Sequence, residues 1–300
     1  MRRQPLAAED AAIVLVSAFL LSASLLGAVG TGVSSDLLKN LTVLSGKLRT
    51  LFVTPEQAKS LRELGVELTE PGIYPFLLAA SNPKSAGGGL SLVVLTPFSA
   101  KIAGKIDGYS MGSWPEEESS GKKSPYTAPS GFIKVTSSTA KRRASEHFDF
   151  GDFLTKDQGK VWPKYLVLDP RLLDKLELTI EELHAMGHPV KGLHVMSGFR
   201  TPLYNDQDLG PGARSAISRH MYGDAADVYP DDDGDDRLDD LNHDGKVDLQ
   251  DARILAKAAE AVEKKFPLLV GGIAIYPATS VHGPFVHIDT RGKRARWGEK

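Results

Sequence analysis

The stretch "RHMYGDAADVYPDDDGDDRLDDLNHDGKVDLQDARIL", residues 219–255, restricts the fold more than any other part of the chain. Carboxylates crowded this closely repel one another, and a carboxylate rarely enters an apolar core without a partner. The stretch is therefore either a solvated acidic loop or a wrapping for one or two cations. Its acidity is local. Lys+Arg 36 against Asp+Glu 38 leaves a net charge of -2 over 300 residues, so the total carries no nucleic-acid signature. That length means one large domain or two modest ones, and 41% hydrophobic residues can bury a core.

The chain has no cysteine. Disulfides, thiol nucleophiles, Cys-ligated zinc and a lipid-modified Cys are excluded together. At the N-terminus, Arg2 and Arg3 precede an uncharged apolar run from Ala11 to Gly30. As a helix that run rises about 30 Å, enough to span a bilayer. Residues 1–33 are thus expected to form a signal anchor or a cleaved signal peptide. Ala28 and Gly30 make a poor cleavage site, and the run exceeds the usual h-region of about 7–15 residues, which favours the anchor. The basic flank stays in the cytoplasm, so the rest is expected in the periplasm, tethered to the cytoplasmic membrane.

Residues 34–135 read as a β-rich accessory module and linker. "TPEQAKSLRELG" (54–65) predicts a short helix capped by Thr54 and stopped by Gly65, and "GIYPFLLAAS" and "LSLVVLTPFS" predict strands. "MGSWPEEESSGKKSPYTAPSG" (111–131) reads as a linker or long loop. Residues 136–300 read as an α+β domain. "SEHFDFGDFLTKD" and "YLVLDPRLLDKLELTIEELHAMG" predict amphipathic helices, the second with Leu172, Leu173, Leu176, Ile180 and Leu183 on one face. "ARILAKAAEAVEKKF" predicts a third, with Ile254, Leu255, Ala258, Ala259 and Val262 as its stripe. "LHVMSGF", "LLVGGIAIYP" and "PFVHIDT" predict strands.

Two patterns in this domain carry chemistry. His220 and Asp227 flank the small residues Gly223 and Ala225, so the backbone between them can fold tightly and aim both side chains at one point. His287 sits in an apolar strand, where alternation can turn it toward the same point. Two imidazoles and a carboxylate suit Zn²⁺, whose catalytic sites take three protein ligands and leave a fourth position to water. A hydrogen-bonded buried histidine and a turn-capping aspartate fit the same spacing. The second pattern runs from Asp240 to Asp251, in the register D-x-[DN]-x-[DN]-G with an acidic twelfth position. Its Ca²⁺ ligands would be Asp240, Asn242, Asp244, the Lys246 carbonyl, Asp248 and Asp251, with Gly245 at the sharp turn. An Asp at the twelfth position, in place of a bidentate Glu, lowers the expected affinity. Residues 231–239 lack this register and read as exposed loop.

The blocks "MSGFRTPLYN" (196–205), "SRHMYGDAADV" (218–228) and "GGIAIYPATSVHGPFVHIDTRGKRARW" (271–297) resemble the zinc D,D-peptidases of the M15 type. Those share a fold with the Hedgehog signalling domain, and the nearest likeness is to the periplasmic murein endopeptidase branch. The resemblance spans roughly residues 128–297 and leaves the N-terminal module uncovered. The loop 240–251 separately resembles dockerin-type calcium loops. The resemblance implies that His220, Asp227 and His287 bind zinc, and that Arg200 stabilises an oxyanion or grips a substrate carboxylate. It implies that Ser218 and Asn205 line a peptide-binding cleft, and that the substrate is a peptidoglycan stem peptide or cross-link. One departure stands out. Many such peptidases place a general-base Glu or Asp three residues before the last zinc ligand, where this chain has Pro284. His282 is the nearest titratable replacement, and Asp289 is placed to orient a ligand histidine. Pro284 also motivates a competing expectation: a zinc-containing peptidoglycan-binding or regulatory module without hydrolysis.

Overall fold

A computed structural model describes residues 14–16, 50–62, 68, 70–78, 90–117, 124–208 and 214–298. Of the apolar run at the N-terminus only Val14–Val16 is described, as a strand, β1. The helix is expected over all of Ala11–Gly30, so Val14–Val16 departs from it, and the rest of that run lies outside the described residues. Among the described residues no helix is long and apolar enough to cross a membrane.

Strand β1 joins β2 (Leu51–Val53), β3 (Gly72–Leu78) and β4 (Leu90–Val94) in a sheet ordered β1-β3-β4-β2. The expected short helix is α1 (Pro55–Arg62). Its start is a reciprocal cap, with the Gln57 N–H donating to Thr54 Oγ1 at 3.2 Å and the Thr54 N–H to Gln57 Oε1 at 2.8 Å. Next come β5 (Thr96–Pro97), the small hairpin β6 (Lys105–Ile106) and β7 (Tyr109–Ser110), then β8 (Gly131–Val135) and β9 (Lys164–Leu166). Strand β8 pairs with β5 on one side and with β9 on the other, so hydrogen bonding crosses the expected boundary at residue 135. One apolar core extends from Ile73 and Val93 through Phe132 to Ile288. The ends of the expected linker are part of it. Met111 and Trp114 are fully buried, and the Trp114 indole donates to the Met221 carbonyl at 3.0 Å.

Beyond β9, Asp169 caps α2 (Pro170–Ala185), accepting from the Arg171 N–H at 2.8 Å, with Pro170 in the first turn where its missing donor costs nothing. All five residues of its expected apolar face are buried. A second sheet is built from β10 (His194–Ser197), β11 (Ala225–Tyr229), β12 (Gly272–Tyr276), β13 (Phe285–Asp289) and β14 (Ala295–Gly298), in the order β10-β11-β13-β12-β14. A single turn, α3 (Pro202–Asn205), follows β10, and α4 (Leu249–Lys265) precedes β12. Helices α2 and α4 pack on each other, and α4 covers β12 and β13. Val286 and Ile288 of β13, with Ala226 and Val228 of β11, join the core shared with these helices. Alternation turns Asp227 and His287 to the other face.

One expected helix is absent. "SEHFDFGDFLTKD" forms only a 3₁₀ turn, Phe150–Phe153, closed by reciprocal Asp149–Asp152 capping. Gly151 explains it: a Cβ there would stand 2.9 Å from the Ala140 carbonyl oxygen, so the segment is pinned against a neighbouring turn. Phe148, Phe150 and Phe153 are all buried, so the apolar spacing serves a tight turn instead of a helix face.

Candidate metal centre

Three separate elements deliver the expected ligands. His220 lies in the 3₁₀ turn Arg219–Tyr222, Asp227 in β11 and His287 in β13. Between the first two, Gly223 is left-handed at φ +70°, and a Cβ on it would fall 2.3 Å from the Val167 carbonyl oxygen. Only glycine meets both demands, and the reversal it permits brings His220 back over Asp227. Asp227 and His287 are direct partners in the β11–β13 pairing. The other neighbour of Asp227 is Ser197 of β10, reached across a register shift that re-aims the strand end.

The donor atoms converge. His287 Nδ1 is 2.9 Å from Asp227 Oδ1, His220 Nε2 is 3.2 Å from His287 Nδ1, and His220 Nε2 is 3.3 Å from Asp227 Oδ1. A tetrahedral ion with bonds of about 2.0–2.1 Å holds its ligand atoms about 3.3–3.4 Å apart, so this triangle fits one small cation. The outer hydrogen bonds fix which nitrogen faces inward. His220 Nδ1 donates to the Gly198 carbonyl at 2.7 Å, and His287 Nε2 donates to Asp289 Oδ2 at 3.0 Å. Each ring thereby presents a lone pair to the centre, beside a carboxylate oxygen. All three residues are buried, at 3%, 5% and 6% exposure for His220, Asp227 and His287.

Electrostatics follow the same logic. Burial pushes the His220 pKa below the ordinary imidazole value, and the nearby Asp227 does not reverse it. Burial alone would raise Asp227, but the imidazoles and Arg200 hold it well below the usual carboxylate range. For His287, burial pushes down while hydrogen bonds to Asp227 and Asp289 prevail and carry it up. A proton and a metal cation therefore compete for the same donors.

Behind His287 stands a buried ionic layer. Asp289 Oδ1 accepts from the Gly272 N–H at 2.7 Å and from Arg291 Nε at 2.9 Å. Lys175 of α2, fully buried, donates to the Asp289 carbonyl at 2.7 Å and to Glu263 of α4 at 2.6 Å. Glu263 also accepts from the Gly271 N–H at 2.9 Å. A Cβ on Gly271 would sit 1.9 Å from the Asp289 carbonyl oxygen, and one on Gly272 would sit 2.3 Å from its carboxylate. The chain is thus built closely around Asp289, where the sequence alone suggested an orienting role. The two helix residues beneath it were missed, because Lys175 and Glu263 meet only across the fold.

The three donors lie in a cleft of about 1030 Å³ that is also lined by Arg200, Ser218, Tyr276 and His282. Arg200 lines the cleft. Its Nη2 donates to Asp227 Oδ2 at 2.6 Å and its Nε to Ser197 Oγ at 2.8 Å, so it holds the second oxygen of the carboxylate ligand. His282 stands on the cleft wall, its Nδ1 donating to the Gly283 carbonyl at 2.8 Å, edge-on to Phe285. Ser218 is a wall residue. Asn205 is not: it is fully buried, and its amide donates to the Ser215 carbonyl at 2.9 Å, tying α3 to the segment that leads to Ser218. The expected linker contributes Tyr126 to the wall, stacked over the Arg219 guanidinium at 4.0 Å. Among the described residues, Asp227 is the only carboxylate lining this cleft.

In the loop 240–251, Gly245 takes the expected left-handed turn at φ +84°. Asp240 accepts from the Asp244 and Gly245 N–H groups at 3.2 and 2.8 Å, Asn242 Oδ1 from Asp244 at 2.8 Å, and Asp244 Oδ1 from Lys246 at 2.9 Å. Asp251 is fully buried, with its oxygens accepting from the Leu241, Asn242 and Asp248 N–H groups. Helix α4 starts earlier than expected, capped by Asp248 with Asp251 as its reciprocal partner. Among the described residues, the other groupings with closely spaced donor atoms are His194–Asp231–Asp236, which joins β10 to the segment read as plain loop, and Asp231–Asp233–Asp239 within that segment. The carboxylates of Asp240, Asp244, Asp248 and Asp251 form no such grouping.

No protein-family model and no curated protein matches this chain.

Proposed function

We propose that the chain is an exported zinc metallopeptidase that hydrolyses peptide bonds of peptidoglycan, with a Hedgehog/DD-peptidase-like zinc domain over residues 136–300. The observation that carries this reading is the convergence of His220 Nε2, His287 Nδ1 and Asp227 Oδ1 at a cleft, each oriented from behind. A structural zinc site encloses its ion with four protein ligands, whereas three ligands facing a cleft suit catalysis. Zinc held there supplies Lewis acidity toward a carbonyl oxygen and lowers the pKa of water. The remaining work falls to side chains. Arg200 fixes Asp227, Asp289 fixes the His287 tautomer, and His282 takes up and returns a proton at the cleft wall. Four arginines line the wall, of which Arg200, Arg219 and Arg291 are paired with Asp227, Asp224 and Asp289. The three sequence blocks support the same choice.

We infer export from Arg2 and Arg3 ahead of the apolar run, read as an anchor in the cytoplasmic membrane; Val14–Val16 of that run pair with β3, so an anchored chain has to release that strand. Calcium is assigned to Asp240–Asp251 on its register and on the Gly245 turn. The Asp240 oxygens and Asp244 Oδ1, each accepting one backbone N–H, keep a second lone pair for an ion. A second reading, zinc-dependent peptidoglycan binding without hydrolysis, is favoured by Pro284 and by a cleft whose only carboxylate among the described residues is the proposed metal ligand Asp227.

The test is zinc content together with cleavage of cross-linked and pentapeptide muropeptides by the purified protein, beside His220→Ala. One bound zinc and zinc-dependent cleavage, both lost in His220→Ala, are expected. Zinc without cleavage of either substrate sinks the hydrolase and leaves the binding module; absence of zinc sinks both.

A further inference from the structure

Tyr276 is the last residue of β12, and its register determines where it points. Ala274 pairs with His287, and Tyr276 pairs with Phe285. Paired residues share a sheet face, and so do residues two apart, so Tyr276 shares the face of His287 and Asp227. Strand spacing puts its Cα about 8 Å from that of His287, with both side chains on one face of the sheet. The ring is held rigidly. It stacks on Phe285 with centroids 4.7 Å apart and planes 12° from parallel, and it lines the cleft of the three donors.

Its hydroxyl is oriented as well. The Trp297 indole N–H stands 2.8 Å from the Tyr276 oxygen, and an indole can only donate. Tyr276 is therefore the acceptor in that bond, and its own proton is directed elsewhere. Among the described residues no acceptor takes it. Trp297 also packs against the metal centre, its ring 5.1 Å from that of His287, so the hydroxyl and the ligand are indexed to one indole. Arg200, the residue that the family resemblance offers for oxyanion stabilisation, has Nε and Nη2 engaged by Ser197 and Asp227.

We infer that Tyr276 is a catalytic residue, whose hydroxyl donates a hydrogen bond to the substrate carbonyl oxygen as negative charge develops on it. The inference rests on the hydrolytic reading of the cleft. A preset donor of this kind acts mainly in the transition state and needs no reorganisation when the charge appears. The contact is a hydrogen bond, so no covalent bond to Tyr276 forms or breaks.

The experiment uses the full chain loaded with zinc and cross-linked muropeptides as substrate. Tyr276→Phe keeps the ring, its stacking on Phe285 and the metal ligands. It is expected to lower kcat by about 100-fold while KM stays within about threefold and zinc affinity, measured by chelator competition, is unchanged. Trp297→Phe removes the orienting N–H and is expected to lower kcat less. Wild-type kcat in Tyr276→Phe overturns the inference, and so does a loss explained by weakened zinc binding. A wild-type protein that binds zinc yet cleaves nothing removes the hydrolytic reading and this inference with it, an outcome visible before any variant is made.

Discussion

At the scale of single residues, the centre depends on positions where one side chain, or none, is sterically possible. Gly223 is such a position, left-handed and 2.3 Å from the Val167 carbonyl oxygen as seen from a hypothetical Cβ. Gly223→Ala is expected to cost at least about 2 kcal/mol, combining the left-handed penalty with displacement of β9's trailing residues. Because the same turn sets His220 over Asp227, zinc stoichiometry should fall in parallel; urea unfolding beside metal analysis checks both. A variant that keeps full zinc while losing stability would separate the turn from the site. The ligand spacing was legible in the sequence because this reversal is local, with a glycine marking it. Arg200's partner was not, since Asp227 and Ser197 reach it from two different strands.

At the scale of elements, legibility followed periodicity and end signals. Helix α2 was plain from Asp169, Pro170 and five buried apolar positions, and β13 from its alternation. The segment around Phe150 misled because Phe150 and Phe153, at a helical interval of three, also suit a tight turn against Ala140. The start of α4 shows a subtler competition. Asp251, expected to complete a calcium loop, is already the reciprocal cap of Asp248 and accepts the Leu241 and Asn242 N–H groups. Capping and ion binding are compatible where spare lone pairs face the ion, so calcium should rigidify the loop–helix junction. Added Ca²⁺ is expected to raise the melting temperature of the wild type by several degrees, by about the shift that binding at 100 times Kd gives a domain of this size. The rise should vanish in Asp240→Ala/Asp244→Ala. A rise that persists there would move the ion to the groupings around Asp231 and Asp239.

At the scale of the whole molecule, the sequence suggested two units joined near residue 135, because texture and turn-rich composition change there. Composition reports where a chain is polar; it does not report which buried side chains meet. Trp114 lies inside a segment whose Pro, Ser and Gly content reads as linker, yet it is fully buried and bonded to the Met221 carbonyl beside the metal centre. Gly112 approaches so closely that a Cβ would stand 2.6 Å from the Leu203 nitrogen, and Leu203 donates its N–H to Met111 at 3.0 Å. Strand β8 completes the arrangement by pairing with β9. Residues 136–300 alone would lose Tyr109, Met111, Trp114, Phe132, Ile133 and Val135, all at 1% exposure or less. Each such side chain contributes about 1.5–3 kcal/mol when fully buried, against a net stability of about 5–15 kcal/mol for a typical domain. The truncated chain 136–300 is therefore expected to show no cooperative thermal transition and no stoichiometric zinc, while the chain from residue 34 shows both. Calorimetry on the two proteins decides it. A sharp transition in 136–300 would support the two-unit division and make the residues before it a docked accessory, not part of the core that holds His220 over Asp227.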